Sequence, residues 1–153
     1  MRKKKGRSID RYLNSGPQTE ITPEIKKIAN SFNKRKFDLV FEILAWLHKN
    51  LRTENKIEVK NKVFRKRTAR EIIESGFVTG CTDWALVFIT LARTKKIPTK
   101  YVETIRRRWL EQGKDDFIEG HVFAEVYLNN HWYIIDSEEA TIRNLYNRWV
   151  VFK

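Results

Sequence analysis

The sequence is poor in cysteine and methionine, with one of each, and holds only three prolines and six glycines in 153 residues. A single thiol cannot close an internal disulfide, which excludes a disulfide-stapled scaffold and fits a reducing compartment. The three histidines, His48, His121 and His131, are scattered. With one Cys they give no close ligand pair, so neither a metal nor another cofactor is expected. No apolar run reaches the roughly 18 residues a membrane span needs. The basic start MRKKKGR leads into polar IDRYLNSGPQ rather than an apolar leader core. A soluble, cytoplasmic protein is the expectation.

The first half also lacks negative charge. Residues 1–70 carry 20 Lys or Arg against 7 Asp or Glu, whereas residues 71–153 carry 11 against 12, so the net +12 arises entirely from the first half. Such a half can draw in nucleic acid, an anionic membrane or an acidic protein. Its aromatics fall at helix-core spacing rather than as a stacking platform, which favours a solvated basic surface. What is present in quantity is core material. Hydrophobic residues at 41% and aromatics at 12% exclude a wholly disordered chain, and the length fits one domain.

Residues 1–20, basic and interrupted by Gly16-Pro17, are expected to form a tail, and 21–153 a single domain. Thr22-Pro23-Glu24 has the composition of a helix start: a side-chain cap, a proline at the first helical position, and an acid at the positive end of the dipole. Ile25, Ile28, Ala29 and Phe32 then share a face. From Phe37, the residues Val40, Phe41, Leu44, Leu47 and Leu51 keep helical spacing. His48 near the end of that run has no evident partner and reads as a surface or boundary residue. Residues 52–66 are charged and weakly patterned, as in a connecting loop. Thr68-Ala69-Arg70-Glu71 matches a capping box, and its helix should stop at Gly76.

The lone cysteine sits in TGCTDWALVFITLAR, where a loop enters a helix apolar on nearly every side. Such a helix belongs in the centre of a domain. Its first turn offers free backbone N–H groups and the positive end of the dipole, which favour a thiolate and can hold a negative oxygen. Asp83 could cap this helix, though its charge opposes a thiolate. Beyond Pro98 the period turns alternating. Residues 100–105 read as a strand, Arg106–Gly120 as a charged loop, and two further strands flank Asn129-Asn130, a pair suited to a two-residue hairpin turn. That turn pairs Leu128 with His131 and places Phe123 opposite Asp136. His121 then shares a face with Asp136, with Cα atoms about 7–8 Å apart on the diagonal, a gap the two side chains can bridge. A turn one residue longer would separate them onto opposite faces. A thiol nucleophile requires an imidazole to take its proton and a carboxylate to orient that imidazole. Cys81, His121 and Asp136 supply these parts, whereas His131 lies at the hairpin tip. Glu125, Tyr127 and Trp132 share the His121 face. Glu125 is expected to pair with a base, and the two aromatics to pack under the helix.

The stretches TGCTDWALVFITLARTKKIPTKYVE and EGHVFAEVYLNNHWYIIDSE resemble the transglutaminase-like superfamily over residues 68–137. The resemblance implies an α+β, papain-like fold: a nucleophile helix packed on an antiparallel sheet, preceded here by N-terminal helices. It implies Cys81 as nucleophile, His121 as general base and acid, and Asp136 as orienting group. It also implies attack on an amide of a peptide or protein side chain, through a thioester, by a cysteine protease, amidase or acyltransferase. The alternative is an inactive scaffold of the same fold that binds nucleic acid or acidic protein through residues 1–70. The loop Arg106–Gly120, with Arg106-Arg107-Arg108-Trp109, is the candidate for substrate contact.

Overall fold

A computed structural model of the chain describes residues 9–113, 119–146 and 148–152. A short 3-10 turn, Arg11–Leu13, precedes helices α1 (Pro23–Asn30) and α2 (Lys36–Asn50). Strand β1 (Arg52–Thr53), α3 (Ile57–Val63), α4 (Ala69–Ser75) and β2 (Phe77–Val78) lead to the central helix α5 (Cys81–Thr94). Then follow β3 (Thr99–Arg106), α6 (Arg107–Gln112), β4 (Gly120–Leu128), β5 (His131–Asp136), β6 (Thr141–Arg143) and β7 (Trp149–Val151). No helix among the described residues is long and apolar enough to cross a membrane.

The helix boundaries follow from their caps. Thr22 accepts a hydrogen bond from the Ile25 amide with Pro23 at the first position. Thr68 and Glu71 bond reciprocally as a capping box, and Gly76 closes α4 at φ 71°. Helix α5 has no side-chain cap, but every residue from Thr82 to Ala92 is buried, so packing rather than local propensity holds it. It touches α1, α2 and α4 as well as strands β3 and β4, so it lies between a helical layer and the sheet. Val122, Ala124, Val126 and Ile135 supply the sheet's share of that core.

The sheet runs β6-β5-β4-β3-β7 and is antiparallel throughout. Asn129 and Asn130 turn at φ 51° and 62°, the mirror-image turn whose twist matches the flanking strands. Leu128 pairs with His131 and Ala124 with Ile135, which is the register read from the two-residue turn.

Several expectations differ from the structure. Residues 1–8 of the expected tail lie outside the described residues, but from Asp10 onward the segment is part of the fold. Tyr12 meets the Trp132 ring edge-on at 5.2 Å, Thr19 is buried, and Arg93 donates to the Asn14 carbonyl at 2.9 Å. The stretch 52–66 is not one loop. β1 pairs in parallel with β2, and α3 forms without burying any residue, which explains why it leaves no amphipathic signature. Arg107–Gln112 of the expected loop is helical, and residues 114–118 lie outside the described residues. Tyr127 and Trp132 do not lie under α5. Alternation places them on the opposite face, where the Lys100 ammonium sits 3.8 Å from the centre of the Trp132 ring.

Candidate active site

Cys81 opens α5 and is half-buried. The Asp83 and Trp84 amides bond to the Gly80 carbonyl at 3.1 and 3.3 Å, and the amides before them in the first turn have no intrahelical acceptor. Asp83 reaches back to the loop just before that end. Its carboxylate accepts from the Thr79 amide at 2.8 Å and the Thr79 hydroxyl at 2.9 Å. Arg67 completes the cage at 2.6 Å, with both side chains buried. The expected cap is therefore a brace that fixes the loop before Cys81, with its charge compensated by Arg67. Gly80 is extended, and a Cβ there would meet nothing within 4 Å, so the approach to the helix does not require glycine.

The three residues singled out in the sequence come together at one end of the sheet. His121, on β4, donates from Nε2 to Asp136 Oδ2 at 3.0 Å, and Asp136 ends β5 almost fully buried. Asp136 also accepts from the Glu139 amide at 3.2 Å, which anchors the carboxylate. The Cys81 sulfur, a ring nitrogen of His121 and a carboxylate oxygen of Glu138 all lie within 4.8 Å of one another. With Nε2 engaged by Asp136, the nitrogen turned toward Glu138 is Nδ1, 3.9 Å from Oε2. The ring is only 15% exposed, stacked on Trp149 at 5.3 Å and edged by Phe123 at 4.6 Å. Burial opposes its protonation, but the hydrogen bonds to Asp136 and Cys81, and their charges, outweigh it and raise the imidazole to about 10. Burial likewise pushes the Glu138 carboxyl up, partly offset by the His121 charge.

A cavity of about 710 Å³ opens on the His121–Asp136 pair, lined also by Glu138, Trp149, Arg106, Arg143 and Arg148. The Cys81 sulfur is outside that lining and reaches it through its neighbours His121 and Glu138.

Three contributors have no mark in the sequence reading. Glu138 belongs to a Ser-Glu-Glu run that looks like an ordinary turn. Trp149 reaches His121 only because β7 pairs with β3, a contact across more than forty residues. His48 does have partners: its ring stacks on Trp84 at 4.4 Å and 11°, and Nε2 donates to the Ser137 carbonyl at 2.8 Å. Glu125, as expected, pairs with a base, Lys100 at 3.4 Å, and accepts from the Tyr146 hydroxyl. His131 stays at the hairpin, edge-on to Tyr133.

The family model of the transglutaminase-like superfamily matches residues 25–137, and the chain belongs to that superfamily. No curated protein matches the sequence. Among solved structures it is similar to a candidate cysteine protease of Cytophaga hutchinsonii, at TM-score 0.66 and 18% identity, over 95% of this chain and 51% of that one. It is also similar to the periplasmic domain of TgpA from Pseudomonas aeruginosa, solved with ethylmercury, at TM-score 0.57 and 17% identity, over 89% of this chain and 50% of that one. The chain thus spans about half the length of these structures, and the likeness is one of fold.

Proposed function

We propose that the protein is a cysteine hydrolase or acyltransferase that attacks an amide carbonyl. The observation that supports this best is the placement of His121, tied to a buried carboxylate through Nε2 while its other nitrogen faces the sulfur and Glu138. The Cys81 thiol gives its proton to Nδ1, and the thiolate adds to the carbonyl carbon. The negative oxygen so formed is met by the first-turn amide of α5. As the C–N bond breaks, His121 returns the proton to the departing amine, leaving a thioester on Cys81. Water or a second amine then attacks that thioester, with His121 taking its proton and Cys81 leaving as thiolate. Asp136 holds the ring's tautomer and stabilises the imidazolium. The charged residues around the cavity suit a polar peptide or protein segment, in keeping with the protease description of a fold neighbour.

Electrophilic amide or glutamine probes, followed by peptide mass spectrometry, test the reading. Cys81 should be the labelled residue, and His121→Ala should reduce the labelling rate sharply. A native sulfur that reacts no faster than a free thiol would refute it.

A second reading, binding of nucleic acid or acidic protein by an inactive scaffold, draws on one hollow. It has a volume of about 400 Å³, with Lys34, Arg35, Lys36 and Lys95 in its wall. Salt-dependent heparin retention that falls on charge reversal at Lys34 and Lys36, together with an unreactive Cys81, would favour it.

A further inference from the structure

We propose that Cys81, His121 and Glu138 form a binding site for a soft divalent cation of the Zn²⁺ type, and that occupation of this site switches the nucleophile off. Cysteine spacing alone argued against any close ligand group. The fold overrides that argument by bringing a thiol, an imidazole and a carboxylate within 4.8 Å of one another, and among the described residues this is the one such group.

Ligand atoms around a tetrahedral zinc stand roughly 3.3–3.8 Å apart, given bonds of about 2.0–2.3 Å. His121 Nδ1 and Glu138 Oε2 are already at 3.9 Å. The Glu138 side chain is 40% exposed, so its carboxylate approaches by rotation at the surface, and the Cys81 sulfur, within 4.8 Å of both other ligands, closes the remaining gap. The imidazole is prepared for a metal in a specific way. Asp136 accepts the Nε2 hydrogen bond at 3.0 Å, so Nδ1, once it gives up its proton, is the nitrogen turned to the metal, the carboxylate–histidine–metal arrangement that raises affinity. One thiolate and one carboxylate balance the two positive charges. The cavity beside His121 and Glu138 leaves room for a water as fourth ligand. Sulfur and nitrogen donors with a single carboxylate favour zinc-like ions over calcium or magnesium, which require many oxygens. Binding releases one proton, from the thiol or from the imidazolium of the ion pair.

A metal held here occupies the lone pairs of both the sulfur and the Nδ1 that would accept its proton. Free zinc is therefore an off-switch, reversed by chelation. This inhibitory consequence rests on the catalytic reading of Cys81 and His121; the binding itself does not.

The test is titration of the full chain, reduced and metal-free, with Co²⁺, followed by displacement with Zn²⁺. The expected result is a near-ultraviolet thiolate-to-cobalt absorption band in the native protein that is absent in Cys81→Ser. Asp136→Asn should weaken Zn²⁺ binding by roughly 10–100-fold, the scale of a lost outer partner, and Glu138→Gln by at least as much. Inhibition is read in the native protein and in Glu138→Gln, each as a fraction of its own metal-free rate, and the other variants are read by metal binding alone. Cobalt binding without the thiolate band, or equal Zn²⁺ affinity in the native protein, Cys81→Ser and Glu138→Gln, would overturn the site. A band with no metal-free reactivity at Cys81 would instead refute the catalytic reading and leave the metal site standing. Rapid metal-free labelling of Cys81 with no band would do the reverse.

Discussion

At the scale of single residues, the most consequential group is an imidazole held between two carboxylates that do different jobs. Asp136 is buried and bonded at 3.0 Å, whereas Glu138 is half-exposed and 3.9 Å away. Only the first can fix the ring. Asp136→Asn presents the wrong hydrogen-bonding partner to Nε2, and amide turnover should fall by on the order of 10⁴-fold, as in other nucleophile–histidine–acid triads, with the circular dichroism spectrum retained. Because the ring is raised from its ordinary 6.5 to about 10 in the folded protein, its protonated form favours folding. That contribution is complete below about pH 6.5 and is lost as pH rises through about 10. The thermal midpoint of the native protein relative to His121→Gln should therefore be highest on the acid side and converge at alkaline pH. A flat difference across that window would remove the imidazolium from the account.

At the scale of elements, α5 carries the sulfur and also the group that steadies it, because Asp83 in its first turn gathers Thr79 and Arg67 and so fixes the loop that leads to Cys81. Arg67→Ala leaves a buried carboxylate without its counter-charge and should cost about 3–5 kcal/mol in chemical denaturation, with a loss of Cys81 reactivity beyond what global unfolding explains. The elements themselves were largely legible. Caps at Thr22 and Thr68, the apolar run after Cys81 and the Asn129-Asn130 turn are local signals, so α1, α4, α5 and the β4–β5 register could be read from the chain. The register carried most of the information, since the two-residue turn is what puts His121 and Asp136 on one face. What escaped reading is non-local or weakly packed. Helix α3 buries nothing, β7 depends on a distant partner, and α6 sits in a segment whose charge resembles that of a loop. Tyr127 and Trp132 were assigned to the wrong neighbours because alternation gives two faces but does not say which one receives the helix.

At the scale of the whole molecule, the N-terminal segment behaves as a strap. Tyr12 and Lys100 close over Trp132, and Arg93 of the central helix reaches back to Asn14 and Thr19. A chain starting at Ile21 should lose roughly 1–3 kcal/mol by denaturant melting, from one aromatic pair and the hydrogen bonds of Arg93; an unattached tail would cost nothing. The charge asymmetry between the two halves does not separate the molecule into two bodies, because the basic first half supplies α1 and α2, which pack against α5.

His48 joins these scales. One imidazole lies flat on Trp84, a turn beyond the sulfur, and grips the carbonyl of Ser137, next to the acid. The two halves of the chemistry thus hang from a common peg on α2. A displacement of that helix therefore acts on thiol and carboxylate together rather than on one of them alone.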